Sequence, residues 1–343
     1  MKKIDFKEID WVKVLTRAQL DVKYLSKRQG PCPLCGGKTR FRFDNKDDAG
    51  TYFCNYCGAG NGYTLLRAFT GMSDREALEF LKDDACCRPV GPPAARHDER
   101  SLKAKAEAEA RKKRAKLNAA WSGSAAITET SPVWVYLSRR VPGLQLAWLS
   151  PDLRYHPAMA YWNTDDGDKP VNRGDWPVML ARARHVDGTP VTLHRTYLSK
   201  DGYKAPFSDV KKQMASPQKL AGAAIRLNCP TTENRKVIVC EGIETGLALV
   251  AATGNRIEVW CLVNAGNLAV ADIPRDRFDE VIICADRDPL DPKHGWRPGE
   301  HYAELLKARL VTEGFGVRLH VPKNEGEDYS DLWLRASHLR IAA

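Results

Sequence analysis

The sequence predicts an α/β chain of three unlike parts: a small cysteine-held ribbon, a basic mixed α+β segment, and a mostly parallel sheet with helices on both faces. Three observations predict it. Four cysteines are paired as Cys32-Pro33-Leu34-Cys35 and Cys54-Asn55-Tyr56-Cys57. Two alternating runs, 176–186 and 190–198, flank Asp187-Gly188, a hairpin signal. From residue 236 onward, short continuous apolar runs alternate with helical patterns, as in parallel sheets buried on both faces.

Taken in order, Ile4, Ile9, Trp11, Val12, Val14, Leu15 and Leu20 recur at roughly helical spacing. The cysteine segment 30–62 follows, then a short helix over 63–69 that ends at Gly71. Ser73 and Glu76 form a capping box before Ala77, Leu78, Phe80 and Leu81. The Pro- and Gly-rich stretch 88–93 marks the first domain boundary. Residues 97–120, rich in Ala, Lys, Glu and Arg, read as a solvated connecting helix. Ser131-Pro132 starts another helix, with Ser as N-cap and Pro at N1. The later runs give strands at 237–240, 257–263, 281–284 and 316–321, with helices at 244–251 and 300–312. The expected division is therefore 1–85, a linker 86–120, a basic part 121–235 and the sheet domain 236–343, with no internal repeat.

The chain has 343 residues, of which 43% are hydrophobic and 28% charged, the balance of a folded globular protein. No run of about 18 apolar residues is present. No apolar stretch follows Lys2-Lys3, so no secretory signal is read and a cytoplasmic protein is expected. The net charge of +10 is uneven: +3 over 1–85, +5 over 96–116, +6 over 173–226 and −4 over 236–343. Basic segments can neutralise phosphates, and an acidic end fits carboxylates that hold a divalent metal. Plain surface solvation explains such a charge count equally well.

The cysteines form a C-x2-C-x18-C-x2-C array. Each C-x2-C turn aims two thiolates at one point, and two turns complete the tetrahedron of a structural Zn2+ site. Disulfides are disfavoured in a reducing compartment, so a zinc ribbon is expected. Arg40, Arg42, Tyr52 and Tyr56 interleave basic and aromatic side chains, a pattern suited to single-stranded nucleic acid. Phe41, Phe43 and Phe53 are expected to form the ribbon's own core. Cys240, Cys261 and Cys284 read as buried hydrophobes.

Glu241-Gly242 follows the strand 237–240 directly, and Asp286-Arg287-Asp288 follows 281–285 in the same way. Sites in parallel sheets form at the carboxyl ends of strands. Glu241, Asp286 and Asp288 together make an oxygen cluster fit for Mg2+, and Glu327, Asp328 and Asp331 add carboxylates nearby. Like charges so gathered need a cation or a raised pKa. For Asp331 a helix-cap or turn role is an equal alternative.

The run Val237 to Ala248 with Glu241-Gly242, then Ala285-Asp286-Arg287-Asp288, then Gly326-Glu327-Asp328, resembles a Toprim domain. The ribbon resembles the zinc-binding domain of phage and plasmid primases. Together, in this order, they resemble Toprim primases: the bacterial DnaG type, and more closely the TraC-like plasmid and phage primase–helicase branches. All four ribbon ligands are Cys, where bacterial-type enzymes include a His, which favours the phage-like variety. The resemblance implies a DNA primase that makes short RNA primers on single-stranded DNA from ribonucleoside triphosphates. It implies catalytic Mg2+ or Mn2+ on Glu241, Asp286, Asp288 and Asp328, and Zn2+ on Cys32, Cys35, Cys54 and Cys57. Arg195, Lys204, Lys211, Lys212, Lys219 and Arg226, in the segment of net +6, are the candidates to contact template or triphosphate. No G-x-x-x-x-G-K-[ST] motif is present, so a separate replicative helicase is the expected partner. A Toprim nuclease and a non-catalytic DNA-binding replication adaptor remain the alternatives. A topoisomerase would need a large extra domain for its tyrosine nucleophile.

Overall fold

The computed structural model describes residues 9–82, 99–164, 170–230, 233–292 and 295–341. The expected boundary at 88–93 and the pair Cys86-Cys87 lie outside the described residues. The chain divides into two compact units, Met1–Glu99 and Arg100–Ala343. Among the described residues no helix is long and apolar enough to cross a membrane.

In the first unit, helix α1 (Trp11–Arg17) is capped by Asp10, whose side chain accepts from Lys13 N. It ends at Arg17, short of the Leu20 that the periodicity reaches, and Ile4 lies outside the described residues. Strands β1 (Gly30–Cys32), β2 (Gly36–Phe43), β3 (Tyr52–Cys54) and β4 (Gly58–Gly60) form an antiparallel sheet in that order. Helices α2 (Gly62–Thr70) and α3 (Asp74–Leu81) follow, each opened by a capping box, at Asn61 and Ser73. Trp11 sits on Gly62, where a Cβ would lie 2.1 Å from the indole. Trp11, Leu15, Leu65, Leu66, Phe41, Phe43 and Tyr52 close the core.

The second unit starts with α4 (Glu99–Ser122). Residues 106–116 of α4 are largely exposed, as the solvated helix expected over 97–120 would be, but its last turns are not. Leu117 and Ala120 are buried against Tyr161, Val178, Leu180, Leu193 and Tyr197, because apolar residues spaced for one helical face occur only in its last turns. Helix α5 (Pro132–Arg140) then begins as predicted, with Ser131 accepting from Trp134 N.

Strands β5 (Leu153–Asn163), β6 (Val171–Arg184), β7 (Pro190–Tyr197), β8 (Lys211–Gln213) and β9 (Ala224–Arg226) make the antiparallel part of a single large sheet. The rest alternates: β10 (Lys236–Cys240), α6 (Ile243–Ala252), β11 (Glu258–Cys261), α7 (Ala265–Ala269), β12 (Glu280–Cys284), α8 (Pro298–Thr312), β13 (Gly316–His320) and α9 (Tyr329–Ile341). Strands β13, β12, β10 and β11 are mutually parallel, and β9 joins β11 to β6 by antiparallel pairing on both sides. The segments on either side of residue 235 thus share one nine-stranded sheet. Alternation along β10 assigns the faces. Ile238 and Cys240 pack with α5 and α6, while Val237 and Val239 pack with α7 and α8. Fully buried Asp152, which bonds Arg182 and Arg184, ties the start of β5 to β6.

Candidate active site

In the ribbon, the Sγ atoms of Cys32, Cys35, Cys54 and Cys57 all lie within 4.8 Å of one another. The Cys32–Cys57 and Cys35–Cys54 separations are 3.9 and 3.8 Å. A tetrahedron with Zn–S bonds of about 2.3 Å requires sulfurs at about that spacing. Backbone N–H groups of Leu34, Tyr56 and Cys57 donate to Cys32 Sγ or Cys54 Sγ, as thiolates in such turns demand. The donor set, spacing and turns fit a structural Zn2+.

Alternation along β2 and β3 sorts the ribbon's aromatic residues. Tyr52 is buried and stacks on Phe41 at 5.5 Å, so it belongs to the core and is not a free stacking platform, contrary to expectation. Phe53, expected inside, is 44% exposed and pairs across the sheet with Arg42. Sequence alternation is legible here, but its phase is fixed only by which face meets Trp11 and α2. Arg42 pairs with Asp44 at 2.5 Å, and the Arg40 guanidinium lies over the exposed Tyr56 ring at 5.4 Å.

In the second unit, register builds the acidic site. Cys240 and Cys284 are partners on neighbouring parallel strands, so Glu241 and Asp286 leave the sheet side by side. Arg287 N donates to Glu327 O, and Gly326 N donates to Arg287 O, which brings the loop carrying Asp328 alongside. The result is a cavity of about 180 Å3 lined by Glu241, Glu244, Asp286, Asp328, Lys211, His194 and Val263, among others. Val263, a β-branched residue, holds φ at +73°, a strained conformation of the kind that gathers at functional sites.

Asp288 is oriented differently. Its Oδ2 accepts from Gly299 N at 2.7 Å, at the N-terminus of α8, and it does not line the cavity. A Cβ at residue 299 would fall 2.7 Å from Asp286 O and 3.0 Å from Asp288 Oδ2, so glycine permits this approach. Asp328 Oδ1 accepts from Asp331 N at the start of α9, and Asp331 itself pairs with Arg140 at 2.6 Å. The helix-cap role weighed for Asp331 thus belongs to Asp328. Among the described residues no three carboxylates converge within 4.8 Å as the four sulfurs do. The acidic groups are neighbours whose charges repel.

That repulsion marks their protonation. Burial, with the charges of Glu241, Asp328 and Asp288, pushes the Asp286 carboxyl up to about 7. Burial and Asp288 also raise Glu241, against a bond from the Ala265 backbone. Asp286 Oδ1 is buried with no hydrogen-bond partner among the described residues. An orphaned acceptor among crowded carboxylates fits a cation.

Glu244 behaves oppositely and was missed in the sequence as a site residue. Burial opposes its charge, but the Lys211 ammonium and bonds from Lys211 and Tyr136 hold it at about 2. Both bonds are 2.8 Å. His194, also missed, is held neutral by burial, its pKa lowered to about 4. Of the six basic candidates only Lys211 reaches the cavity. Lys212, its neighbour on β8, points to the other face, over the Tyr161 ring and onto Trp162 O. Arg195 bonds Tyr197, Arg226 lies over Trp260, Lys219 is exposed elsewhere, and Lys204 lines a separate cleft.

Residues 27–63 match the family model of the zinc-binding domain of primase-helicase, and residues 236–338 match the Toprim domain. Residues 111–227 match a domain of unknown function. Three solved structures illustrate the structural likeness. A DNA primase domain from Pseudomonas aeruginosa is 14% identical over 53% of this chain and 54% of that one, with a TM-score of 0.32. This chain thus spans about half of that domain. The Aquifex aeolicus primase, with zinc-binding and RNA polymerase domains, is 15% identical over 98% and 82%, with a TM-score of 0.37. The primase fragment of the bacteriophage T7 primase-helicase protein is 16% identical over 92% and 97%, with a TM-score of 0.36. By the two family models, the chain carries a primase-type zinc-binding domain ahead of a Toprim domain, in agreement with the sequence motifs.

Proposed function

We propose that this chain is a DNA primase, which lays short RNA primers on single-stranded DNA for a phage, plasmid or other mobile element. One observation carries the reading. Glu241, Asp286 and Asp328 meet Lys211 in one cavity at the carboxyl ends of parallel strands, and buried Asp286 Oδ1 has no hydrogen-bond partner among the described residues. These carboxylates, with Asp288 beside them, would hold Mg2+ or Mn2+. The metal would screen triphosphate charge and activate a primer 3′-hydroxyl. In the reaction that hydroxyl oxygen bonds the α-phosphorus of a ribonucleoside triphosphate, and pyrophosphate departs with the broken P–O bond. Glu241, raised by burial and Asp288, is suited to take the hydroxyl proton. Lys211, fixed by Glu244, offers a permanent positive charge to the polyphosphate. Arg40, Arg42, Phe53 and Tyr56 on the ribbon are the surface offered to template, and a separate helicase would expose it.

A primase-type zinc-binding domain and a Toprim domain in one chain support priming over hydrolysis. The test mixes the protein with single-stranded DNA, four ribonucleotides with labelled ATP, and Mg2+ or Mn2+, and resolves products on a denaturing gel. Template-dependent short RNAs are expected, absent from Asp286→Ala and reduced in Cys54→Ser. Degradation of the template would assign a nuclease instead. Neither product, with DNA binding retained, would assign an adaptor. Independently of activity, Mn2+ should raise the melting temperature of the wild type and not of Asp286→Ala.

A further inference from the structure

Beyond the paired ends of β12 and β13, Ala285 N still donates to His320 O at 3.1 Å. Past that bond both strands leave the sheet as loops, 286–291 and 321–328, and these carry Asp286, Asp288 and Asp328. Two main-chain bonds join the loops: Arg287 N to Glu327 O at 3.2 Å, and Gly326 N to Arg287 O at 2.7 Å. Two arginine side chains add to them. Arg287 Nε donates to Pro322 O at 2.5 Å. Arg297, the residue before α8, donates to Asp288 O and pairs with Glu325 at 2.6 Å. Glu300, on the first turn of α8, links the two arginines. Its Oε1 lies 3.5 Å from Arg287 Nη1 and 3.7 Å from Arg297 Nε. Trp296 stacks on His301 at 4.2 Å, which anchors the chain entering Arg297 to α8.

An isolated surface ion pair would stabilise little. These arginines differ in forming a network and in being mostly withdrawn from solvent, with side chains 29% and 25% exposed. They also bridge the two loops where the sheet no longer does. Neither guanidinium lines the carboxylate cavity, so neither takes the place of a cation. Like charges on two loops push the loops apart, and the arginines oppose that push from outside the cavity.

We propose that Arg287 and Arg297 are positioning residues: they latch the loop of Asp328 to the loop of Asp288 and so set how tightly the carboxylates hold a divalent cation. The cation rests on the reading of the carboxylates given above, whereas the latch itself does not. Groups that orient metal ligands without touching the metal are worth about 10- to 100-fold in metal affinity. The sign of the effect separates a latch from plain charge. Removing a positive charge near the site should, by Coulomb's law alone, tighten Mn2+ binding. Removing a latch should weaken it.

The test titrates the full chain with Mn2+ and follows the free ion by electron paramagnetic resonance. Asp286→Ala marks the share of binding that belongs to the cavity. In Arg297→Ala that share should weaken about 10- to 100-fold, and Arg297→Lys should recover part of it. Hydrogen exchange of the metal-free protein reads the latch directly. Arg297→Ala and the milder Glu325→Gln should both speed exchange at the amides of Arg287 and Gly326, with 280–284 unchanged. Equal or tighter Mn2+ binding in Arg297→Ala overturns the proposal, as does unchanged exchange in both variants. Exchange that rises equally at 280–284 in Glu325→Gln would show general loosening and overturns it too. Wild type that binds no more Mn2+ than Asp286→Ala does sinks the metal reading, and with it the part given to the latch.

Discussion

Glu244 Oε2 accepts a hydrogen bond from Lys211 Nζ at 2.8 Å, and this pair, rather than a metal, explains the buried carboxylate on the first turn of α6. The two partners are unequal. Glu244 is 5% exposed, whereas Lys211 keeps part of its side chain in solvent. Removing the lysine strands a buried charge; removing the carboxylate charge leaves a lysine that water can reach.

Lys211→Met should therefore destabilise the protein more than Glu244→Gln does. A buried ion left unpaired costs about 3 kcal/mol. Glu244→Gln keeps a partner for Tyr136 and should cost about 1 kcal/mol, the scale of one hydrogen bond. The double variant should recover part of the Lys211→Met loss. Urea denaturation of the four proteins gives the coupling, and equal losses in the two single variants would contradict the asymmetry.

His194 sets an acid limit on stability. Its ordinary pKa of 6.5 applies in the unfolded chain, and burial lowers it to about 4 in the fold. Above pH 6.5 both states are neutral and nothing is lost. Between 6.5 and 4 the unfolded chain takes up a proton that the fold refuses, so stability falls with pH. The loss amounts to about 3 kcal/mol when complete. Asp286 slopes the other way: unfolded it ionises near 3.8 and folded near 7, so its repulsion grows as pH rises between these values. The difference between wild type and His194→Gln, measured from pH 7 to pH 4, isolates the histidine. A difference that does not change with pH would refute its burial as a neutral group.

Asp286→Asn should stabilise the metal-free protein. At pH 8 the wild type carries an ionised carboxylate among others, against a preference for the neutral form up to about 7. The relief should approach about 4 kcal/mol by thermal or urea unfolding. The same variant should lose the gain in melting temperature that Mn2+ gives the wild type. Destabilisation of the metal-free variant would show that Asp286 is held by bonds and not by mutual repulsion.

How much of this was legible depended on whether the signal was local. The parallel strands β10 and β12 were visible because Val237–Cys240 and Val281–Cys284 are continuous apolar runs with an acidic residue beyond each end. Strand β5 was not. It contains Pro157, and its burial breaks from alternation where register shifts against β6 at His156–Met159 and Ala160–Trp162. Helix α9 was hidden by the acidic stretch 326–331, read as further carboxylates beside the metal cluster, where Asp328 serves as its cap. Glu244 could not be told from a surface glutamate, because the groups that satisfy it, Tyr136 and Lys211, lie 108 and 33 residues away in sequence. Tyr52 and Phe53 show the commonest limit: a period of two names two faces without naming the inner one.

The ribbon makes the sharpest metal prediction. A unit of this size, whose described part closes on α1, α2 and a four-stranded sheet of short strands, has little core to spare for holding β1 against β3. Zn2+ bound by Cys32, Cys35, Cys54 and Cys57 would tie the turn after β1 to the turn after β3. The purified protein should contain one zinc per chain by mass spectrometry. Cys54→Ser should lose it, while Cys229→Ser, an exposed cysteine outside the cluster, should keep it. Chelation should loosen the packing of Trp11 on Gly62 and Phe41 on Tyr52, seen as lost near-ultraviolet dichroism, because both contacts belong to the core that the ribbon completes. Zinc retained in Cys54→Ser would show that the four sulfurs converge for another reason.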